Sequence, residues 1–145
     1  MSNVTLAQAD IIATETLKKG RELGLHPLTV VVLDSGGFIK VLKREDHCSL
    51  LRQDIAIGKA WGVLGMGFGG QEMARRAEKM PTFFTALNVM SEGKMVPVPG
   101  GVLIKNSEGH IIGSVGVTGD TSINDETAGV AGILAAGLKP DTGNP

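Results

Sequence analysis

LTVVVLDSGGFIKVLKR, residues 28–44, is the stretch on which the fold class turns. LTVVVL is apolar on both faces and rich in β-branched residues, the pattern of a central strand covered on two sides. DSGG at 34–37 is a turn signal, and FIKVLKR returns as the second arm of a hairpin. A connection this short makes the two strands antiparallel, because parallel neighbours need a crossover of a dozen or more residues. A second hairpin is expected where GVLIKN (101–106) and IIGSVGVTG (111–119) bracket NSEGH.

Helical patterns surround these hairpins. Thr5 with Gln8 has the form of a capping box, LAQADIIATETLKKGREL (6–23) carries apolar residues at helical spacing, and Gly24 is the stop. EDHCS (45–49) connects to a helix over about 50–66, GFGG (67–70) breaks the pattern, and QEMARRAEKM predicts another short helix. TFFTALNVMSEG, after Pro81, predicts a helical turn or two. Ser122 with Asp125 can cap a last helix to about Gly137, leaving a frayed tail from about residue 139. Hairpins grouped between helices give an α+β fold, a three-layer α-β-α sandwich with an antiparallel sheet, and not a Rossmann sheet. No repeat or linker divides the 145 residues, so one domain over 1–145 is expected.

Composition narrows the function classes. A net charge of −1 and 3% aromatic residues favour neither nucleic acid nor an anionic membrane as partner. Cys48 is the single cysteine, so no internal disulfide forms. MSNVTLAQAD has no secretory pattern, and the longest apolar run, AGVAGILAAGL (128–138), is too short to span a bilayer. A cytoplasmic protein is the expectation.

VPVPGGVLIKN (96–106) stiffens the backbone at two prolines, frees it at two glycines and then enters a strand. Pro99, Gly100 and Gly101 therefore form a shaped corner or the rim of a ligand site. In the helix SLLRQDIAIGKAWGVLG (49–65), Asp54 shares a face with Leu50, Leu51, Ile57, Gly58 and Trp61, while Arg52, Ala56 and Lys59 fall opposite. A carboxylate within an apolar stripe must find donors. Asp54 either holds a neighbouring loop, with Gly100-Gly101 the natural partner, or acts as an acid, base or orienting group. Gly113 and Gly116 inside a strand imply a close neighbour, either the small-residue face of the last helix (Ala128, Gly132, Ala136) or a ligand. Thr118, Gly119 and Asp120 leave that strand beside a helix start, a favourable place for a small anionic group. GMGFGG (65–70) follows a helix, the wrong context for a dinucleotide fingerprint, and no nucleotide cofactor is expected. His26, His47 and His110 show no metal-ligand spacing.

Taken in order, LTVVVLDSGGFIKVLKRED, DIAIGKAWG, VPVPGGVLI and GSVGVTGDTSINDE resemble the GlcG/HbpS-type haem-binding family, also found as the C-terminal domain of PduO-type cobalamin adenosyltransferases. The resemblance covers nearly the whole chain. It implies a profilin-like antiparallel sheet between helices, a homo-oligomer built from dimers, and an accessory role in haem or related tetrapyrrole handling linked to glycolate, propanediol or glycerol use. The family pattern falls on Asp34, Gly36, Gly37, Asp54, Lys59, Pro99, Gly100, Gly101, Gly116, Thr118, Gly119, Asp125 and Glu126. Where members commonly read Asp-Gly after the second strand, this chain departs with Asp46-His47; the haem-ligating residue differs among members, and His47 is the candidate for a haem iron. The expected site is a small pocket walled by the PGG loop, with Asp54 beneath it and Thr118, Gly119, Asp125 and Glu126 facing it. The alternative is an enzyme acting on a small hydroxy acid, aldehyde or diol derivative, with Asp54 or Glu126 as acid or base.

Overall fold

A computed structural model describes residues 3–145. Helix α1 (Leu6–Glu22) opens with the anticipated capping box: the Thr5 side chain accepts from the Gln8 amide and the Gln8 side chain accepts from the Thr5 amide. The first hairpin is β1 (Thr29–Asp34) and β2 (Ile39–Arg44), turned by Asp34, whose Oδ1 accepts from the amides of Gly36 and Phe38. Helices α2 (Arg52–Met66), α3 (Gly70–Lys79) and α4 (Pro81–Met90) follow. The second hairpin is β3 (Gly101–Lys105) and β4 (Ile111–Thr118), then come α5 (Ser122–Ala135) and β5 (Lys139–Asp141).

The five strands form one antiparallel sheet in the order β2-β1-β4-β3-β5. Alternation along the central strands sends side chains to two cores. Val30, Val32, Val115 and Val117 face α1 and α5, joining Ile12, Ala128 and Ile133. Val31 and Leu33 face Ala56 and Ala60 of α2 on the other side. Leu103 continues that side into a cluster with Val63, Met73, Phe84 and Met95, which seats α3 and α4. The three-layer α+β expectation is met.

Three expectations change. The tail does not fray at 139: β5 pairs with β3 (Leu103 with Asp141, Ile104 with Pro140), and Lys105 Nζ lies 2.7 Å from Asp141 Oδ2. Backbone pairing on the β3 edge and this ion pair hold what composition alone marks as loose. The cap of α5 is Thr121, accepting from the Asn124 amide, rather than Ser122 with Asp125, because the Asp125 carboxylate is used elsewhere. The close neighbour of Gly116 is α2, not α5: a β-carbon there would meet the Ala56 carbonyl group and the Ala60 nitrogen. Gly101, paired with Gly116 across the sheet, lies equally close to α2, with the Lys59 carbonyl oxygen 2.5 Å from where its β-carbon would be. Two side-by-side glycines thus form a shallow seat for the backbone of α2, and Ser114 Oγ donates to the Ala60 carbonyl at 2.7 Å to hold it.

Candidate functional site

The glycine seat inverts the expected faces of α2. With its backbone against the sheet, only small or narrow side chains fit between, so Ala56, Lys59, Ala60 and Val63 turn inward. Asp54, Leu50 and Leu51 are exposed. Asp54 is therefore not beneath the PGG loop; Lys59 is. Its ammonium, 3% exposed, donates to the Val117 carbonyl at 2.9 Å and to Asp125 Oδ2 at 3.2 Å. Asp125, 1% exposed, also accepts from the Asp120 amide at 2.8 Å through Oδ1. Burial disfavours both charges, lowering the Lys59 pKa and raising that of Asp125, while their mutual attraction opposes each shift.

The remaining residues of the expected site gather around this pair. Gly100, at φ 109°, passes so close to the Lys59 ammonium that a β-carbon would lie 2.8 Å from Nζ, and a left-handed backbone disfavours any side chain as well. Pro99 packs its Cα over Gly70 of α3. Thr118 Oγ1 accepts from Arg52 at 2.9 Å, and a β-carbon on Gly119 would collide with the Pro27 carbonyl. The PGG corner thus unites Lys59, Pro99, Gly100, Gly101, Thr118, Gly119, Asp125 and Glu126, with Lys59 occupying the space that the loop encloses.

Glu126 is the exception to mutual satisfaction. It is 7% exposed; Oε2 accepts from Gln71 Nε2 at 2.7 Å, but Oε1 is buried without a hydrogen-bond partner among the described residues. Burial raises its pKa above 4.5, with the Gln71 bond opposing. A raised folded pKa means that the folded state holds its proton longer than the unfolded chain does. The associated stability is complete below about pH 4.5 and is lost as pH rises through the folded value. Glu126→Gln removes that loss and keeps an amide partner for Gln71. Urea melts at pH 4 and pH 8 are expected to show a stability gain of about 1 kcal/mol for the variant at pH 8 and little change at pH 4. An equal effect at both pH values would mean that the carboxyl is not the cause.

An open cavity lies on the outer face of α2. It is about 470 Å³ and is lined by Asp54, Ile57, Gly58, Trp61, Gly93 and Lys94. Ile57 and Trp61 supply an apolar floor, and Lys94 Nζ stands 5.7 Å from the Trp61 ring centroid. Trp61 also borders a cavity of about 180 Å³ against the first hairpin turn at Gly36 and Gly37. A polar cavity of about 390 Å³ at Arg21, Arg44 and Glu45 is crossed by the Arg21–Glu45 pair at 3.1 Å.

His47 is exposed in the turn before α2, at φ 72°, and does not line the Trp61 cavity. The backbone amide of His26 donates to Asp120 Oδ2, and His110 lies 3.5 Å from Glu108. Among the described residues no group of three or more His, Cys, Asp or Glu is placed to hold a metal ion, and no helix is long and apolar enough to cross a membrane. Sequence reading placed Trp61 with Asp54 on one stripe correctly but turned the stripe inward. It missed Lys94, whose only signal is a lone cation just after the Glu92-Gly93 turn.

A protein-family model described as "Haem degrading protein HbpS-like" matches residues 4–134. A curated relative, the uncharacterized 15.0 kDa protein in the dhaT-dhaS intergenic region of Citrobacter freundii, is 28% identical over 126 residues, 86% of each chain. The crystal structure of a PduOC:heme complex superposes with a TM-score of 0.83 at 21% identity, covering 98% of this chain and 99% of the other. The Klebsiella pneumoniae protein ORFY also superposes with a TM-score of 0.83, at 24% identity and 94% and 92% coverage. At these identities the solved structures establish the shared fold.

Proposed function

Because the chain belongs to the HbpS-like family, whose description is haem degrading, we propose that it binds haem or a related tetrapyrrole in the Trp61 cavity as an accessory protein. The observation that carries this reading is the cavity itself. Its volume of about 470 Å³ lies within the range of small-molecule sites, it is open on one side, and its floor is an indole and an isoleucine. A flat conjugated ring fits such a floor by stacking. The fit is to the macrocycle and its acid groups, since the lining holds no imidazole, thiol or thioether for an iron. Family resemblance supports a place beside glycolate, propanediol or glycerol use, and a homo-oligomer. The uncharged α4, with Val89 75% and Met90 76% exposed, offers an apolar surface for such assembly, and sedimentation equilibrium counts the subunits.

The alternative, an enzyme with Asp54 or Glu126 as acid or base, would use the two carboxyl groups separately, because Asp54 is exposed on α2 while Glu126 is buried and bonded to Gln71 of α3. The deciding experiment is a haemin titration followed in the Soret region. Wild type is expected to saturate, and Trp61→Leu to weaken binding about tenfold through loss of stacking. Absorbance that only drifts with added haemin would overturn the reading. A bound spectrum changed by His47→Ala would move the site to the exposed turn.

A further inference from the structure

Lys94 is held where it is by construction. Glu92 (φ 61°) and Gly93 (φ 76°) turn left-handed in succession and bring the chain back onto α2. Gly58 admits it: a β-carbon at Gly58 would lie 2.6 Å from Val96 Cγ2 and 3.3 Å from the Lys94 carbonyl oxygen. The Gly58 carbonyl then accepts from the Val96 amide at 3.2 Å, stitching the segment to the helix. The result is an ammonium poised over the Trp61 face, and among the described residues Lys94 takes part in no ion pair. The cavity's other charge is the Asp54 carboxylate, which repels anions.

Resting on the tetrapyrrole reading above, we propose that Lys94 is the carboxylate anchor of this cavity: the ligand is a planar conjugated acid that takes the ammonium's place on the Trp61 face, while the exposed Lys94 side chain swings to its edge and pairs the carboxylate, away from Asp54. A cation beside an aromatic wall gives two contacts of different chemistry to one ligand, dispersion to its face and charge to its edge. Recognition then runs through the periphery of the ring and is independent of a central metal, consistent with a lining that has no imidazole, thiol or thioether. Lys94 is exposed, so its substitution leaves the core intact.

Metal-free protoporphyrin and its dimethyl ester, titrated by porphyrin fluorescence into wild type, Lys94→Gln, Lys94→Glu and Trp61→Leu, separate these contributions. Lys94→Gln is expected to weaken the free acid about fivefold, the upper end for an exposed ion pair, and Lys94→Glu to weaken it further. Both leave the ester unchanged, whereas Trp61→Leu weakens acid and ester alike. An unchanged free-acid affinity in Lys94→Gln, or equal losses for acid and ester, overturns the anchor while the tetrapyrrole reading stands. Binding of haemin without binding of the metal-free ring does the same, because iron would then be what is recognised. Failure of the wild type to bind haemin or either porphyrin overturns both.

Discussion

Lys59→Met is expected to cost about 3–5 kcal/mol of stability, because it leaves the Asp125 carboxyl buried without its cation. Methionine matches the lysine stem in length and fills the same channel between α2 and the sheet, so a cavity does not explain the loss. Asp125 retains only the Asp120 amide through Oδ1, and Oδ2 loses the ammonium at 3.2 Å. The Val117 carbonyl, which accepts from Lys59 at 2.9 Å, loses that donor as well. In a chain of 145 residues this lowers Tm by roughly 10 °C. Removing both charges is a different experiment. Lys59→Met combined with Asp125→Asn keeps an acceptor for the Asp120 amide and buries no charge, so more than half of the stability is expected to return. Urea melts of the two single variants and the pair measure the coupling. A Lys59→Met loss below about 1 kcal/mol would show that water reaches the pair and screens it.

Gly116→Ala is expected to be at least as damaging, about 3 kcal/mol or more, for a steric reason. The added methyl would enter the Ala56 carbonyl group and press on the Ala60 nitrogen, and neither is a flexible side-chain end that can swing away. Relief requires α2 to lift from the sheet, which separates Val31 and Leu33 from Ala56 and Ala60 and draws Lys59 away from Asp125. Gly65→Ala is the matched control in the same helix. Its β-carbon meets only Trp61 Cζ3 at 3.7 Å, an ordinary contact, and the better helix propensity of alanine is expected to raise stability by up to about 1 kcal/mol. Thermal melts of the two alanine variants decide the matter, and equal Tm values would refute the glycine seat.

The same seat explains what was hard to read beforehand. Hydrophobic periodicity sorts the residues of α2 and its N-terminal approach into two stripes, Leu50, Leu51, Asp54, Ile57, Gly58 and Trp61 against Arg52, Ala56 and Lys59. It then assigns the larger apolar stripe to the core, since burying more apolar area is ordinarily favoured. The opposite holds here because the gap between helix and sheet is set by Gly101 and Gly116, and a gap that narrow accepts alanine and a lysine stem but not an indole. A buried lysine with its ammonium at a sheet end is invisible to a hydropathy argument, which treats every charge as solvent-facing. The PGG loop stands out in the sequence for its backbone freedom, and at Gly100 that freedom lets the loop pass close to the Lys59 ammonium.

What the sequence by itself determined is the set of local choices: the Thr5 capping box, the DSGG and NSEGH turns, the two hairpins and therefore an antiparallel sheet between helices. These rest on interactions between residues a few positions apart, which composition and spacing report directly. What only the tertiary structure decided is which face of α2 meets the sheet, and with it the exchange of Asp54 for Lys59 under the PGG loop and the half-buried position of Trp61 beside Lys94. Those outcomes depend on the distance between layers, which is set by glycines far along the chain from the helix that rests on them.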